Sequence, residues 1–387
     1  MKNLLEEFPA VDKATWVAKV EKDLKGKPLE DLFWHLGEDL SIAPFYHPED
    51  MSHQATAPLL AGRRDNDWEI GEYINVYEDT KKANQELLEG LKGGVQAPLF
   101  RLFHPLNAGR LNQLLEGVAP EMVTLNFSEH YTEKQPAQLF TLLRAWYKEK
   151  GVTGPSANFT IDFDPILDFP KLPVELMAEL IKSCAAEWPK VRPLQVNAKT
   201  FHGGPEQVVE ELALTMAKGA EYLSLLTAQG IDPDTSNQHM QFGIAISKSY
   251  FVEIAKFRAL RLLWSNILKG YGVKGKQPFV VGHFAQESQD ENPNANMIRA
   301  STQAMSAVIG GIDRLYVLPS SHAQKEADTP FSRRVARNLQ HLLKMESHLD
   351  RVIDPGAGSY YIEKLTREIA DRAWARFQEL DKTEAFK

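Results

Sequence analysis

The stretch MQFGIAISKSYFVEIAKFRALRLLW (240–264) decides the fold. Its first seven residues, 240–246, are an apolar β-type run, and Ile254, Phe257, Leu260 and Trp264 then recur at helical spacing. A short buried strand followed by an amphipathic helix is one βα unit. Working outward, the same alternation predicts strands near 97–103, 122–127, 158–163, 193–198, 278–284, 314–318 and 351–353, each followed by a helical segment. Eight such units imply an α/β chain closed into a (β/α)8 TIM barrel. An open doubly wound sheet is the weaker reading, because neither G-x-G-x-x-G nor G-x-x-x-x-G-K-[ST] occurs.

The first 80 residues read differently. One helix is expected over 12–24, with Asp12 as N-cap, Trp16, Val17, Val20 and Leu24 on one side, and Gly26 closing it. Extended, proline-punctuated sequence follows, so 1–80 is predicted to be an N-terminal, partner-wrapping arm and 81–387 the barrel.

Composition narrows the function. Among 387 residues, 44 Lys+Arg face 52 Asp+Glu for a net charge of −8, so no basic field gathers nucleic acid or anionic lipid. The single Cys184 excludes an internal disulfide and cysteine-rich metal sites, and reads as a structural thiol in a reducing cytoplasm. The start, MKNLLEEFPAVDKATW, carries acids where a secretory leader needs an apolar run, and no stretch is long enough to span a membrane. Eleven His form no H-E-x-x-H, so no metal site is expected.

One strand parity is polar. Thr124 and Asn126, Asn158, Thr160 and Asp162, Gln195 and Asn197, and Gln241 alternate with apolar neighbours and are expected to face the barrel axis. Such groups demand partners. Two arrangements supply them: a channel whose walls meet water or a ligand chain, or an internally satisfied polar network.

FVEIAKFRALRLLW (251–264), NANMIRASTQAMSAVIGG (294–311), FSRRVARNLQHLLKMES (331–347) and VIDPGAGSYYIEKLTREIADRAW (352–374) together resemble the barrel domain of the methylmalonyl-CoA mutases. PEQVVEELALTMAKGAEYLSLL (205–226) and IAPFYHPEDM (42–51) extend the likeness over nearly the whole chain. The resemblance implies an isomerase family that rearranges acyl-CoA thioesters by radical chemistry, with the CoA tail threaded along the axis and adenosylcobalamin capping the C-terminal mouth. Within these segments Lys256 and Arg261 read as surface charges on a barrel helix. Asp354 to Ser359 read as the turn between an eighth strand and its helix, where structural geometry and a ligand role are equally open.

Measured against the family pattern, three features are lost. Ser247 stands where the resemblance puts a His that hydrogen-bonds the thioester carbonyl, and a serine hydroxyl is no acid near neutral pH. WEIGEYINVYED (68–79) lacks the family's Arg-Gln-Tyr-Ala-Gly pattern, leaving Tyr73 and Tyr77 without an assigned role. AQESQDENP (285–293) replaces a Gln-Thr-Ser-Gly-Trp-type loop. His202 and His283 match family histidines, so His202, Gly203, Gly204, Ser247 and His283 are the expected lining of a vestigial pocket, with no catalytic residue. The Asp-x-His-x-x-Gly loop of the family's flavodoxin-like cobalamin domain does not occur, so adenosylcobalamin is not expected on this chain alone. The resemblance therefore implies the small, non-catalytic subunit of a heterodimeric mutase, pairing with a catalytic large subunit. An active barrel using a corrinoid domain on another chain, or a CoA-thioester binding module, are the alternatives.

Overall fold

The computed structural model describes residues 11–37, 40–51, 63–323, 328–383 and 385–386; MKNLLEEFPA, read above for a leader, lies outside them. Eight parallel strands form the barrel: β1 Glu69–Val76, β2 Ala97–Leu102, β3 Leu125–Glu129, β4 Phe159–Ile161, β5 Leu194–Asn197, β6 Met240–Ile246, β7 Val280–Phe284 and β8 Arg314–Tyr316. Around the sheet they run β4-β3-β2-β1-β8-β7-β6-β5. The ring closes between β4 and β5, where Ile161 N–H donates to the Arg192 carbonyl at 3.0 Å and Arg192 N–H to the Phe159 carbonyl at 3.2 Å. The fold is a (β/α)8 barrel.

Its longer helices are α1 Thr80–Lys92, α2 Ala108–Leu114, α3 Pro136–Glu149, α4 Val174–Glu187, α5 Val208–Ala228, α6 Tyr250–Gly270, α7 Pro293–Ile309 and α8 Pro330–Met345, one after each strand. A ninth, α9 Tyr360–Lys382, lies across α5 and α6 on the outside. Local sequence starts them: Asp79 accepts from Lys81 N–H at 3.0 Å, and Asn292 caps α7 just before Pro293.

The strand count was right but one member was not. Residues 351–353 form no strand; they sit in bends after α8, with Val352 exposed. The eighth strand is β1, inside the 1–80 stretch expected as an arm. Its acids disguise it. Glu69 is bound by Arg314 inside the ring, while Glu72 is held outside by Arg333 Nε at 2.7 Å and Arg337 Nη1 at 2.8 Å of α8. A buried strand that carries two paired carboxylates does not read as an apolar run.

The turn at Asp354 to Ser359 likewise follows no strand and leads into α9. Lys256 and Arg261, expected at the surface, are both 1% exposed, because they turn inward to partners on α5, on β6 and on the segments flanking the strands: Lys256 meets Glu211 and the Ala245 carbonyl. Arg261 donates to the carbonyls of Gly311 and Pro278 and to Asp313, and Arg258 clamps Asp354, Glu363 and Thr366. The arm helix, Lys13–Asp23, is capped by Asp12, which accepts from Thr15 N–H at 2.8 Å. Cys184 is buried in the core, and burial pushes its thiol up.

β1 and β8 meet at Gly71, where a Cβ would sit 2.5 Å from the Leu315 carbonyl oxygen and the Tyr316 ring. Backbone cannot give way there as a flexible side chain would. Gly71→Ala is expected to cost about 1–3 kcal/mol through overpacking, read as a lowered urea midpoint with an unchanged slope.

Candidate functional site

The C-terminal ends of the strands surround a cavity of about 470 Å³, within the range of small-molecule sites. Tyr73 from β1, Arg101 from β2, Ser128 from β3 and His283 from β7 reach it from strands, and His130, Asp162 and Lys199 from the residues just beyond them. Charge is concentrated here. Ser128 Oγ donates to Asp162 at 2.9 Å, so the 3.1 Å contact from His130 Nε2 is the imidazole N–H donating to that hydroxyl. Asp162 also accepts from Gln195 and lies 3.8 Å from Lys199 Nζ. The Arg101 guanidinium rests 3.9 Å above the Tyr73 ring.

Titration follows from this packing. Burial first, then Lys199, Arg101 and Arg314, holds His283 well below the ordinary imidazole value. Its Nδ1 meets the Tyr73 hydroxyl at 2.9 Å, and burial pushes that phenol up to about 12. Desolvation and then Arg101 push His130 down to about 4, although part of its ring stays open to solvent. Burial also lowers Lys199, with Asp162 opposing it.

His202 behaves oppositely. Its Nδ1 lies 2.8 Å from Glu211 Oε2 and its Nε2 2.7 Å from Glu287 Oε1. Burial disfavours its charge, but the Glu211 hydrogen bond and both carboxylates outweigh that and raise its pKa. Behind it the chain of charge continues through Glu211 to Lys256 at 3.2 Å and Glu253 at 2.9 Å. Lys256 stays cationic because those two carboxylates overcome its burial.

His202 and His283 therefore line the cavity, whereas Ser247, Gly203 and Gly204 do not. Ser247 is buried and donates to Glu253 Oε1 at 2.6 Å, turned into the charged network instead of toward a ligand. Gly203 and Gly204 belong to the turn ahead of α5. The expected lining is corrected at those three positions: the Ser247 hydroxyl finds a carboxylate acceptor in the first turn of α6, and the two glycines lie in the turn ahead of α5.

Most polar-parity residues join a hydrogen-bonded network rather than wall a channel, while Asn158 Oδ1, Asn197 Oδ1 and Gln241 Oε1 find no partner among the described residues. Asn158 Nδ2 donates to Thr124 at 2.7 Å, Thr124 to Glu69 at 2.6 Å, Thr160 to Asn126 at 2.7 Å and Gln241 to Gln195 at 2.8 Å. Arg314 ties the two halves by donating to Glu69 and Asn126. Asn197 lies higher, at the mouth. The cavity left among Asn126, Thr160, Gln195, Gln241, Arg314 and Tyr316 measures about 10 Å³, about the volume one water requires. No acyl chain passes through it.

Sequence reasoning missed Arg101, Lys199, Arg314 and Tyr316. The signal for Arg101 was present: a lone charge near the C-terminal end of an otherwise apolar run, APLFRLF, is where a barrel places ligand-facing groups.

Comparison with known proteins supplies the family. The methylmalonyl-CoA mutase profile matches residues 111–385. The chain belongs to the methylmalonyl-CoA mutase family. Its relatives include the methylmalonyl-CoA mutase small subunits of Porphyromonas gingivalis, 34% identical over 99% of this chain and 65% of that protein, and of Propionibacterium freudenreichii subsp. shermanii, 28% identical over 98% and 63%. A large subunit from Streptomyces virginiae is 26% identical over 96% of this chain and 57% of that protein. The chain thus spans just under two thirds of the length of the small subunits it matches.

Mutases of this family are generally cobalamin-linked. The mouth histidines are engaged by Glu211, Ser128 and Tyr73; separately, among the described residues no group of three His, Cys, Asp or Glu is placed to hold a free metal ion. Among those residues no helix is long and apolar enough to cross a membrane.

Proposed function

We propose that this mutase-family barrel is the small, non-catalytic partner of a catalytic large subunit that interconverts methylmalonyl-CoA and succinyl-CoA with adenosylcobalamin. The closed axis carries the reading. A thioester whose CoA tail must run through the barrel finds Arg314, Tyr316 and Asn126 in its way, packed around about 10 Å³. Ser247 supports it, since a hydroxyl committed to Glu253 polarises no carbonyl. The arm and the outer helices then serve assembly, and a large interface stabilises both chains by mass action. A cytoplasmic complex agrees with the lone, buried Cys184.

Mixing the chain with its large subunit at micromolar concentration is expected to give one complex in gel filtration, with higher melting temperatures for both. Tyr73→Phe in this chain removes a hydroxyl from the axis mouth and is expected to leave turnover of the complex within twofold. Lost turnover with assembly intact, or no complex, contradicts the scaffold role.

A further inference from the structure

We propose that the mouth of this barrel binds a small oxyanion, the phosphate or carboxylate of a compact metabolite, between Arg101 and Lys199. The inference goes beyond the scaffold role, since it gives the barrel a ligand of its own.

Unmatched charge is the first observation. Arg258, Arg261, Arg314, Lys218 and Lys256 are buried, and each closes on a carboxylate within 2.9 Å. Arg101 does not. Among the described residues no carboxylate lies within ion-pair distance of it, and its guanidinium is braced on the Tyr73 ring at 3.9 Å. Stacking and an interaction with the neutral Tyr73 hydroxyl orient the fork without cancelling its charge, which suits an anionic acceptor. Lys199 has only Asp162, at 3.8 Å, and that carboxylate already accepts from Ser128 at 2.9 Å and from Gln195. One cation at the mouth thus has no carboxylate within ion-pair distance, and the other only a distant one that is already engaged.

Space is the second. Both cations line the 470 Å³ cavity, whose other walls include Leu99, Phe103, Phe284 and Leu318. A charged end with apolar sides suits a ligand of one anionic head and a short neutral body. The closed axis beneath excludes a ligand that continues downward. The field agrees with the geometry: burial lowers His130 and His283 first, and Arg101 and Lys199 push both further in the same direction.

The test is calorimetric titration of the full chain at low salt with two probes, inorganic phosphate and acetate. Saturable 1:1 binding of at least one is expected, and the tighter probe identifies the head group. Arg101→Gln and Lys199→Gln are each expected to weaken it at least tenfold, with melting temperatures showing that both variants fold. Arg351→Gln, at a side chain 76% exposed, is expected to leave it unchanged. Absence of saturable binding to either probe, or equal binding by both glutamine variants, overturns the proposal. Because the titration uses this chain without its large subunit, such a failure leaves the assembly reading standing.

Discussion

Replacing Asp164 with alanine is expected to cost about 3–5 kcal/mol of unfolding free energy, the penalty of leaving a buried charge uncompensated. Asp164 is 1% exposed and accepts from Lys218 Nζ at 2.7 Å, from the Tyr222 hydroxyl and from Asn197 N–H at 2.7 Å. Lys218 is 2% exposed and would keep the Asn197 carbonyl, at 3.3 Å, and the face of the Phe201 ring, at 4.9 Å, but no carboxylate among the described residues. An ammonium in that position has no water to turn to. Urea denaturation reads the loss as a shifted midpoint, and the double change Asp164→Leu with Lys218→Met is expected to recover a large part of it, since no charge is then buried. A single-variant cost below about 1 kcal/mol would show that the site relaxes enough to admit solvent. The pair ties the segment after β4 to α5 and the end of β5, so the loss also loosens the mouth at Asn197 and Lys199.

Acidification is expected to weaken the fold well before the carboxylates titrate. His283 and His239, 4% and 1% exposed, are both held below the ordinary imidazole value, chiefly by burial. The Val191 carbonyl, 2.6 Å from His239 Nδ1, opposes that shift without cancelling it. Below about pH 6.5 the unfolded chain takes up protons that these folded imidazoles refuse. Stability therefore falls as pH drops, by up to about 1.4 kcal/mol per pH unit for each histidine, until their folded values are reached. His202 has the opposite sign. Its raised value gives a contribution fully present below about pH 6.5 and lost as pH rises through the folded pKa. Urea midpoints at pH 7, 6 and 5 are expected to decline, and His283→Phe is expected to flatten the decline. A midpoint constant from pH 7 to 5 would contradict the neutral state of these imidazoles.

The histidines and the mouth cations also show how far the sequence could be read. His202 and His283 were found because they match histidines of the family the sequence resembles, and their places at or beyond the C-terminal ends of strands agree with a barrel's mouth. Ser247 was identified through the same resemblance, yet its hydroxyl turned away to Glu253, six residues on, since side-chain direction depends on which partner lies in reach. Lys256 and Arg261 were assigned to the surface because charges on an amphipathic helix usually face water. What holds them inside are partners elsewhere in the chain, Glu211 for Lys256 and Asp313 with the Gly311 carbonyl for Arg261, about fifty residues away.

Local periodicity by itself determined the barrel: short apolar runs alternating with amphipathic helices permit few other closed arrangements, and alternation along a strand set the polar parity of the axis. Only the tertiary structure decided which run completes the ring, since β1 carries carboxylates whose arginine partners lie some 250 residues away, and no local pattern records that pairing. It alone also decided that the axis is shut and that Arg101 and Lys199 share one cavity. Those outcomes depend on distances between side chains from different strands, and such distances exist only once the sheet has closed.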